Sequence, residues 1–261
     1  MDWSRAKTIL ICAFLFLDLF LGYQVYASRT QPSMDVDSVK GLNSDLETYL
    51  LQQNITLETD IPQDTPDMRY LYVEYVGIPT ITAKEMSEQL VTLENALITS
   101  QFTKDFYIGY SSNPEEVLRQ LKDRIVYYDQ YRVDQYWLHH RRYRYWQVHD
   151  GIPLFVAPLE IFIENGVAKG YKQVYLHVRS QGSGRQVIPA STAVRSLVEK
   201  GIIKKGERIE QIALGYYGYK YDAEIQVLAP VWRIIHNGNE HYVNGFTGVA
   251  ERPQVLFNAG N

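Results

Sequence analysis

Leu159-Glu-Ile-Phe-Ile-Glu-Asn-Gly-Val-Ala-Lys-Gly-Tyr-Lys-Gln-Val-Tyr175 is the stretch that decides the fold. Two strand-like runs flank Asn165-Gly166, and Asn-Gly is the dipeptide that suits a tight hairpin turn. The pattern extends outward in both directions. From Tyr127 to Ser180 the chain reads almost wholly as strand, broken at Asp150-Gly151 and bounded by Gly182-Ser183-Gly184. Downstream, Pro189 to Lys200 predicts a helix closed by Gly201. Ile212 to Val249 returns to strands, with turns at Asn237-Gly238 and Asn244-Gly245.

Upstream, Val39, Leu42, Leu46, Leu50 and Leu51 fall at helical spacing and predict one helix from Asp37 to Gln53. Ile55 to Thr59 and Arg69 to Val76 alternate as strands around the turn-rich Ile61-Pro-Gln-Asp-Thr-Pro66. Ala83 to Glu94 suits a helix, and Phe102 to Tyr110 a strand. Asn113-Pro114-Glu115-Glu116 opens a further helix: a capping side chain, a first-turn proline, and acids at the positive dipole end. Val117, Leu118, Leu121 and Ile125 form its inward face. Helices among antiparallel meanders define an α+β class, with antiparallel sheets and helices packed on one face. We expect two lobes, 37–112 and 113–261, after an N-terminal segment (1–27) and a linker (28–36).

Composition bounds the function classes. The 261 residues carry a net charge of −4, which gives no reason to expect nucleic acid as a partner. The single cysteine, Cys12, lies in the apolar N-terminal run, so no disulfide staples the fold and no cysteine catalysis is expected. The 21 tyrosines, mostly in strand-like runs, suit half-exposed sheet faces.

Thr8 to Tyr26 reads TILICAFLFLDLFLGYQVY, an apolar run with one charge. At 1.5 Å per residue it reaches about 28 Å, close to the hydrocarbon thickness of a bilayer. Arg5 and Lys7 precede it, predicting a cytoplasmic N-terminus and an extracytoplasmic C-terminal domain at the cell membrane. A cleaved leader is the rival reading. The run exceeds the usual length of such segments, and Tyr23, Gln24 and Tyr26 make a poor cleavage region. Asp18 sits mid-span, where a carboxylate costs about 2.5–3.5 kcal/mol. Gly22 lies one turn later on the same side. We read Asp18, Gly22, Phe14 and Leu21 as a face that meets another transmembrane helix. The alternative is an Asp18 that is protonated and merely tolerated.

Catalytic patterns are sparse. Gly-x-Ser-x-Gly, His-Glu-x-x-His, Ser-x-x-Lys and phosphate-loop spacings do not occur, and no cofactor is expected. His236 and His241 flank Asn237-Gly238 and could face one another across a hairpin. A zinc site there would need a third ligand, for which Glu240 is the only local candidate. Asp64 and Asp67 lie in a polar turn. The run His139-His-Arg-Arg-Tyr-Arg-Tyr-Trp146 concentrates cations and aromatics. Alternation puts Arg142, Arg144 and Trp146 on one face, a candidate external contact patch. Its plainer reading is a solvated sheet face with arginine stems on aromatic rings.

The opening Met1-Asp-Trp-Ser-Arg-Ala-Lys-Thr-Ile-Leu10, then Leu21-Gly-Tyr-Gln24, resembles the start of the YycI family. Gln147-Val-His-Asp-Gly-Ile-Pro-Leu-Phe155, Pro230-Val-Trp-Arg-Ile234 and Tyr242-Val-Asn-Gly-Phe-Thr-Gly248 also resemble that family's sheet segments. The resemblance implies a non-enzymatic regulator of an essential two-component system of low-GC Gram-positive bacteria. It implies two protein partners: a membrane sensor histidine kinase of the YycG/WalK type, which controls cell-wall metabolism, and a YycH-type sibling. Contact would run through the transmembrane helices, and the two-lobed external fold would resemble part of the sibling. A passive binder of anionic wall polymer, acting through the Arg142–Trp146 patch, is the alternative; an unrecognised hydrolase comes third.

Overall fold

The computed structural model describes residues 3–29, 36–76, 88–94, 96–109, 113–139 and 143–251. The chain divides after Asp35 into two units. In the first, α1 (Trp3–Arg29) is one helix of 27 residues, about 40 Å long at 1.5 Å per residue.

The second unit runs in this order: α2 (Val36–Gln52), β1 (Thr56–Leu57), β2 (Asp67–Met68), β3 (Leu71–Tyr75), β4 (Gln89–Glu94) and β5 (Leu97–Tyr107). There follow α3 (Pro114–Gln120), β6 (Tyr131–Val133), α4 (Gln135–His139), β7 (Tyr143–His149), β8 (Ile152–Glu164), β9 (Val167–Val174) and β10 (Leu176–Gln181). The last elements are β11 (Arg185–Gln186), α5 (Ala190–Glu199), β12 (Arg208–Tyr217), β13 (Ile225–His236), β14 (Asn239–Asn244) and β15 (Ala250–Glu251). The fold is α+β, with few helices and one large mixed sheet.

That sheet has 13 strands among the described residues, with the order β10-β3-β13-β12-β8-β9-β5-β4 along its main path. β6 and β7 join at β8, β14 and β15 at β13, and β1 at β12. Only β1 with β12 and β12 with β8 pair in parallel; every other pairing is antiparallel. Turn chemistry sets the hairpins. Asn165 (φ +52°) and Gly166 (φ +76°) link β8 to β9, Asp150 and Gly151 link β7 to β8, and Asn237 and Gly238 link β13 to β14. Helix starts follow local sequence too: the Asn113 side chain accepts from Glu115 N at 3.0 Å, with Pro114 in the first helical position.

Two apolar clusters hold the sheet. In the first, Leu46 and Leu50 of α2 and Ala193, Val194 and Leu197 of α5 join Ile209, Val231 and Trp232. In the second, Val117 and Leu118 of α3, with Leu121, join Ile98, Tyr145, Leu159, Ile161 and Tyr171. β8 serves both, with Leu154 to Ala157 in the first cluster and Leu159 and Ile161 in the second.

Three expectations change. Gln89–Glu94, the described part of the expected helix over 83–94, is strand β4, paired antiparallel with β5 from Gln89↔Phe102 to Glu94↔Leu97. Residues 83–87 lie outside the described residues. The Tyr127–Ser180 run also contains the short helix α4. A lobe boundary at 112/113 does not match the sheet. β3 lies between β10 and β13, and β5 pairs with β9, so strands from 37–112 are completed by strands from 113–261.

Candidate functional site

The first candidate is the surface of α1. Phe14, Asp18, Leu21 and Gly22 fall within an arc of about 100° at 3.6 residues per turn. Phe14 and Leu21 are exposed, and a Cβ added at Gly22 would meet nothing within 4 Å. The geometry therefore brings these four residues to one side of the helix, with Ile9 to Phe20 also presenting exposed apolar side chains. Among the described residues no helix is long and apolar enough to cross a membrane.

The basic aromatic run is the second candidate, and the part of it described in β7 is largely packed inside. Both faces of β7 are covered. Tyr145 points into the second cluster and its hydroxyl donates to Pro114 O at 2.6 Å. Trp146 points into the first cluster and is 3% exposed. Arg144 donates through Nε to Glu160 at 2.7 Å and pairs through Nη1 with Glu240 at 3.4 Å. Its guanidinium also lies 5.4 Å from the Trp137 ring centre and 5.2 Å from that of Trp146. Trp146 is thus an interior group, and Arg144, with 19% of its side chain exposed, is held by internal partners, so neither presents a free contact surface. Arg142 lies outside the described residues.

The most concentrated polar site was not singled out from sequence. Asp134, between β6 and α4, faces Arg233 of β13, which is 2% exposed. Arg233 donates through both terminal nitrogens to the two carboxylate oxygens, each at 2.7 Å. Trp146 Nε1 donates to the same carboxylate at 2.6 Å, and Tyr136 N at 3.1 Å. Burial pushes the Asp134 carboxyl up, but the hydrogen bonds and charge of Arg233 outweigh it and hold the carboxyl below its ordinary value. Burial likewise opposes the Arg233 charge, and Asp134 restores it, leaving the guanidinium raised. The signal lay in Val231-Trp-Arg-Ile-Ile235: an arginine inside an apolar run needs a carboxylate somewhere. The site is a buried ion-pair clamp in which both terminal nitrogens of Arg233 are engaged and Nε is not.

Two clefts remain. One, of about 450 Å³, is lined by Leu118, Arg119, Tyr128, Arg132 and Val133. The other, of about 520 Å³, is lined by Glu58, Tyr136, Arg208, Glu210 and Gln211. In the second, burial and then the hydrogen bond to Glu210 push the Tyr136 hydroxyl up to about 12. His236 and His241 do face each other, with ring centres 4.8 Å apart and planes 24° apart. Glu240 is engaged by Arg144 and by the Tyr242 hydroxyl (3.0 Å), not by the histidines. Among the described residues no trio of His, Cys, Asp or Glu is placed to hold a metal.

Comparison with known proteins places the chain. A regulatory, non-catalytic class is defined by the family model described as YycI protein, which matches residues 34–246. That match covers about four-fifths of the sequence, and the chain belongs to the YycI family, a family of two-component-system regulators. A solved structure of an uncharacterized protein from Eubacterium rectale ATCC 33656 is 11% identical, with a TM-score of 0.49, over 77% of this chain and 91% of that one. The Bacillus megaterium YpeB C-terminal domain is 10% identical, with a TM-score of 0.35, over 85% and 97% of the two chains. A search of curated proteins finds no match.

Proposed function

We propose that this chain is a membrane-anchored, non-catalytic regulator that binds a sensor histidine kinase controlling cell-wall metabolism, together with a YycH-type sibling. Family membership over residues 34–246 is the observation that carries the reading. The apolar run Thr8–Tyr26 supports the anchor, and Arg5 and Lys7 support an N-terminus on the cytoplasmic side. The Phe14–Asp18–Leu21–Gly22 face is where kinase or sibling helices dock. Such contacts act by favouring one signalling state of the kinase. Differential binding of about 1–3 kcal/mol, the usual range of coupling energies, is enough to shift its output.

The test has two parts. Membrane fractionation with protease protection should find the chain in the membrane with 36–261 outside. Co-purification of kinase and sibling from detergent should then drop when residues 8–26 are replaced by an unrelated apolar span. Equal recovery from both versions rejects the intramembrane mechanism, and a chain found free of the membrane rejects the anchor.

A further inference from the structure

The turn joining β13 to β14 sits over an unusual pair. His236, the last residue of β13, is 4% exposed. Its ring stacks on that of His241 in β14. Register explains the contact: Ile234 lies opposite His241 and His236 opposite Asn239, so the two histidines are diagonal neighbours on one face of the hairpin. His236 Nδ1 lies 3.0 Å from Glu207 Oε2, yet neither ring nitrogen of His236 has a well-aligned hydrogen bond. Glu207 Oε2 is itself held by Lys204 N at 2.9 Å.

The same turn is hydrogen-bonded to residues that line the second cleft. Glu210 of β12 accepts from Gly238 N at 3.0 Å and from the Tyr136 hydroxyl at 2.9 Å. Asn237 Oδ1 accepts from Arg208 N at 3.1 Å. Tyr136, Arg208 and Glu210 all line that cleft.

We propose that His236 and His241 form an acid-sensitive latch: uncharged and stacked, they hold the β13–β14 turn against β12, and protonation releases it. The charged groups around the pair do not cancel the effect. Glu207, on the turn before β12, can balance one imidazolium. Arg208 on β12 pairs with Glu210 (3.3 Å) and lies 3.8 Å from Glu58 beyond β1. Glu240 on β14 faces Arg144 and Arg233. One carboxylate is thus left to balance two imidazolium charges about 5 Å apart.

Burial first, and then the neighbouring His236, lower the His241 value from its ordinary one, against an opposing pull from Glu207. The sign follows. A group depressed in the folded chain adds stability above its unfolded value of about 6.5, and that stability is lost as pH falls through the lower folded value. Acidification therefore loosens the turn, and neutrality tightens it.

The experiment uses the full chain in nanodiscs. Histidine ring NMR should show His241 titrating below an ordinary histidine. Hydrogen exchange, corrected for intrinsic rates, should speed up at 237–244 between pH of about 7.5 and about 5.5, a range that brackets an ordinary imidazole. Exchange in α5 should not change. His241→Phe keeps a ring to stack and removes the charge, so its turn should exchange alike at both values. A His241 ring titrating at the ordinary value, or the same acceleration in His241→Phe, overturns the latch. Should His241→Phe not fold, His236→Gln makes the same comparison.

Discussion

α1 and the second unit place polarity in opposite ways. In the unit after Asp35, charge is inside: Arg233, Asp134, Arg144 and Glu160 lie in or against apolar clusters, each with a named partner. In α1, apolar groups are outside: Ile9, Leu10, Phe14, Phe16, Leu19 and Phe20 are exposed around a single acid, Asp18. The first arrangement finds its partners within the unit: among the described residues, the buried Arg233 is met by the buried Asp134. The second needs an environment that something else supplies, since an apolar surface of that length is costly in water.

Breaking the clamp tests the complete half most severely. Asp134→Ala leaves Arg233 buried without its partner, a loss of about 3–5 kcal/mol by the usual cost of orphaning one member of a buried pair. Denaturant unfolding should read it as a lower midpoint. Asp134→Leu combined with Arg233→Met should lose much less, because no charge is stranded; a double mutant as weak as the single one counts against the clamp as the cause. Acid gives a related measurement. Asp134 is depressed in the folded chain, so the stability it contributes is present above its unfolded value near 3.9 and is lost as pH falls through the folded value. The Asp134→Leu/Arg233→Met variant should lose less stability over that acid range than the parent.

Packing gives the next effect. A Cβ at Gly215 would come within 2.3 Å of the Phe155 ring, which is itself buried. Gly215→Ala should cost about 1–3 kcal/mol through displacement of that ring. Smallest of all is the exposed pair Lys169–Asp105, with 2.9 Å between the charged atoms. Lys169→Ala should change stability by about 0–1 kcal/mol. A cost there as large as that of Asp134→Ala would erase the distinction between interior and surface charge on which the comparison rests.

Local rules made much of the fold legible. The helical stripe of α2, the cap at Asn113 and the Asn-Gly turns at 165 and 237 are each decided by neighbours a few residues apart. What failed depends on pairing and packing that the period of a single segment does not show. Gln89-Leu-Val-Thr-Leu-Glu94 fits a helical pattern with its Glu and Leu residues, and it becomes a strand only because β5 offers it a ladder. Alternation correctly separates Arg144 and Trp146 from Tyr145. It cannot reveal that both sides of β7 are covered, by α3 and its neighbours on one and by the β8–β13 layer on the other. Nothing near Asp134 in the sequence marks it, because its partner lies 99 residues later in the chain. The α1 face was named from charge and spacing alone, since nothing beyond one helix is needed to align it.

β8 is a shared spine. Because its residues belong to both apolar clusters, neither can melt while the other keeps its ladder intact. Heating should therefore dismantle the unit after Asp35 in one step, with calorimetric and van't Hoff enthalpies in agreement.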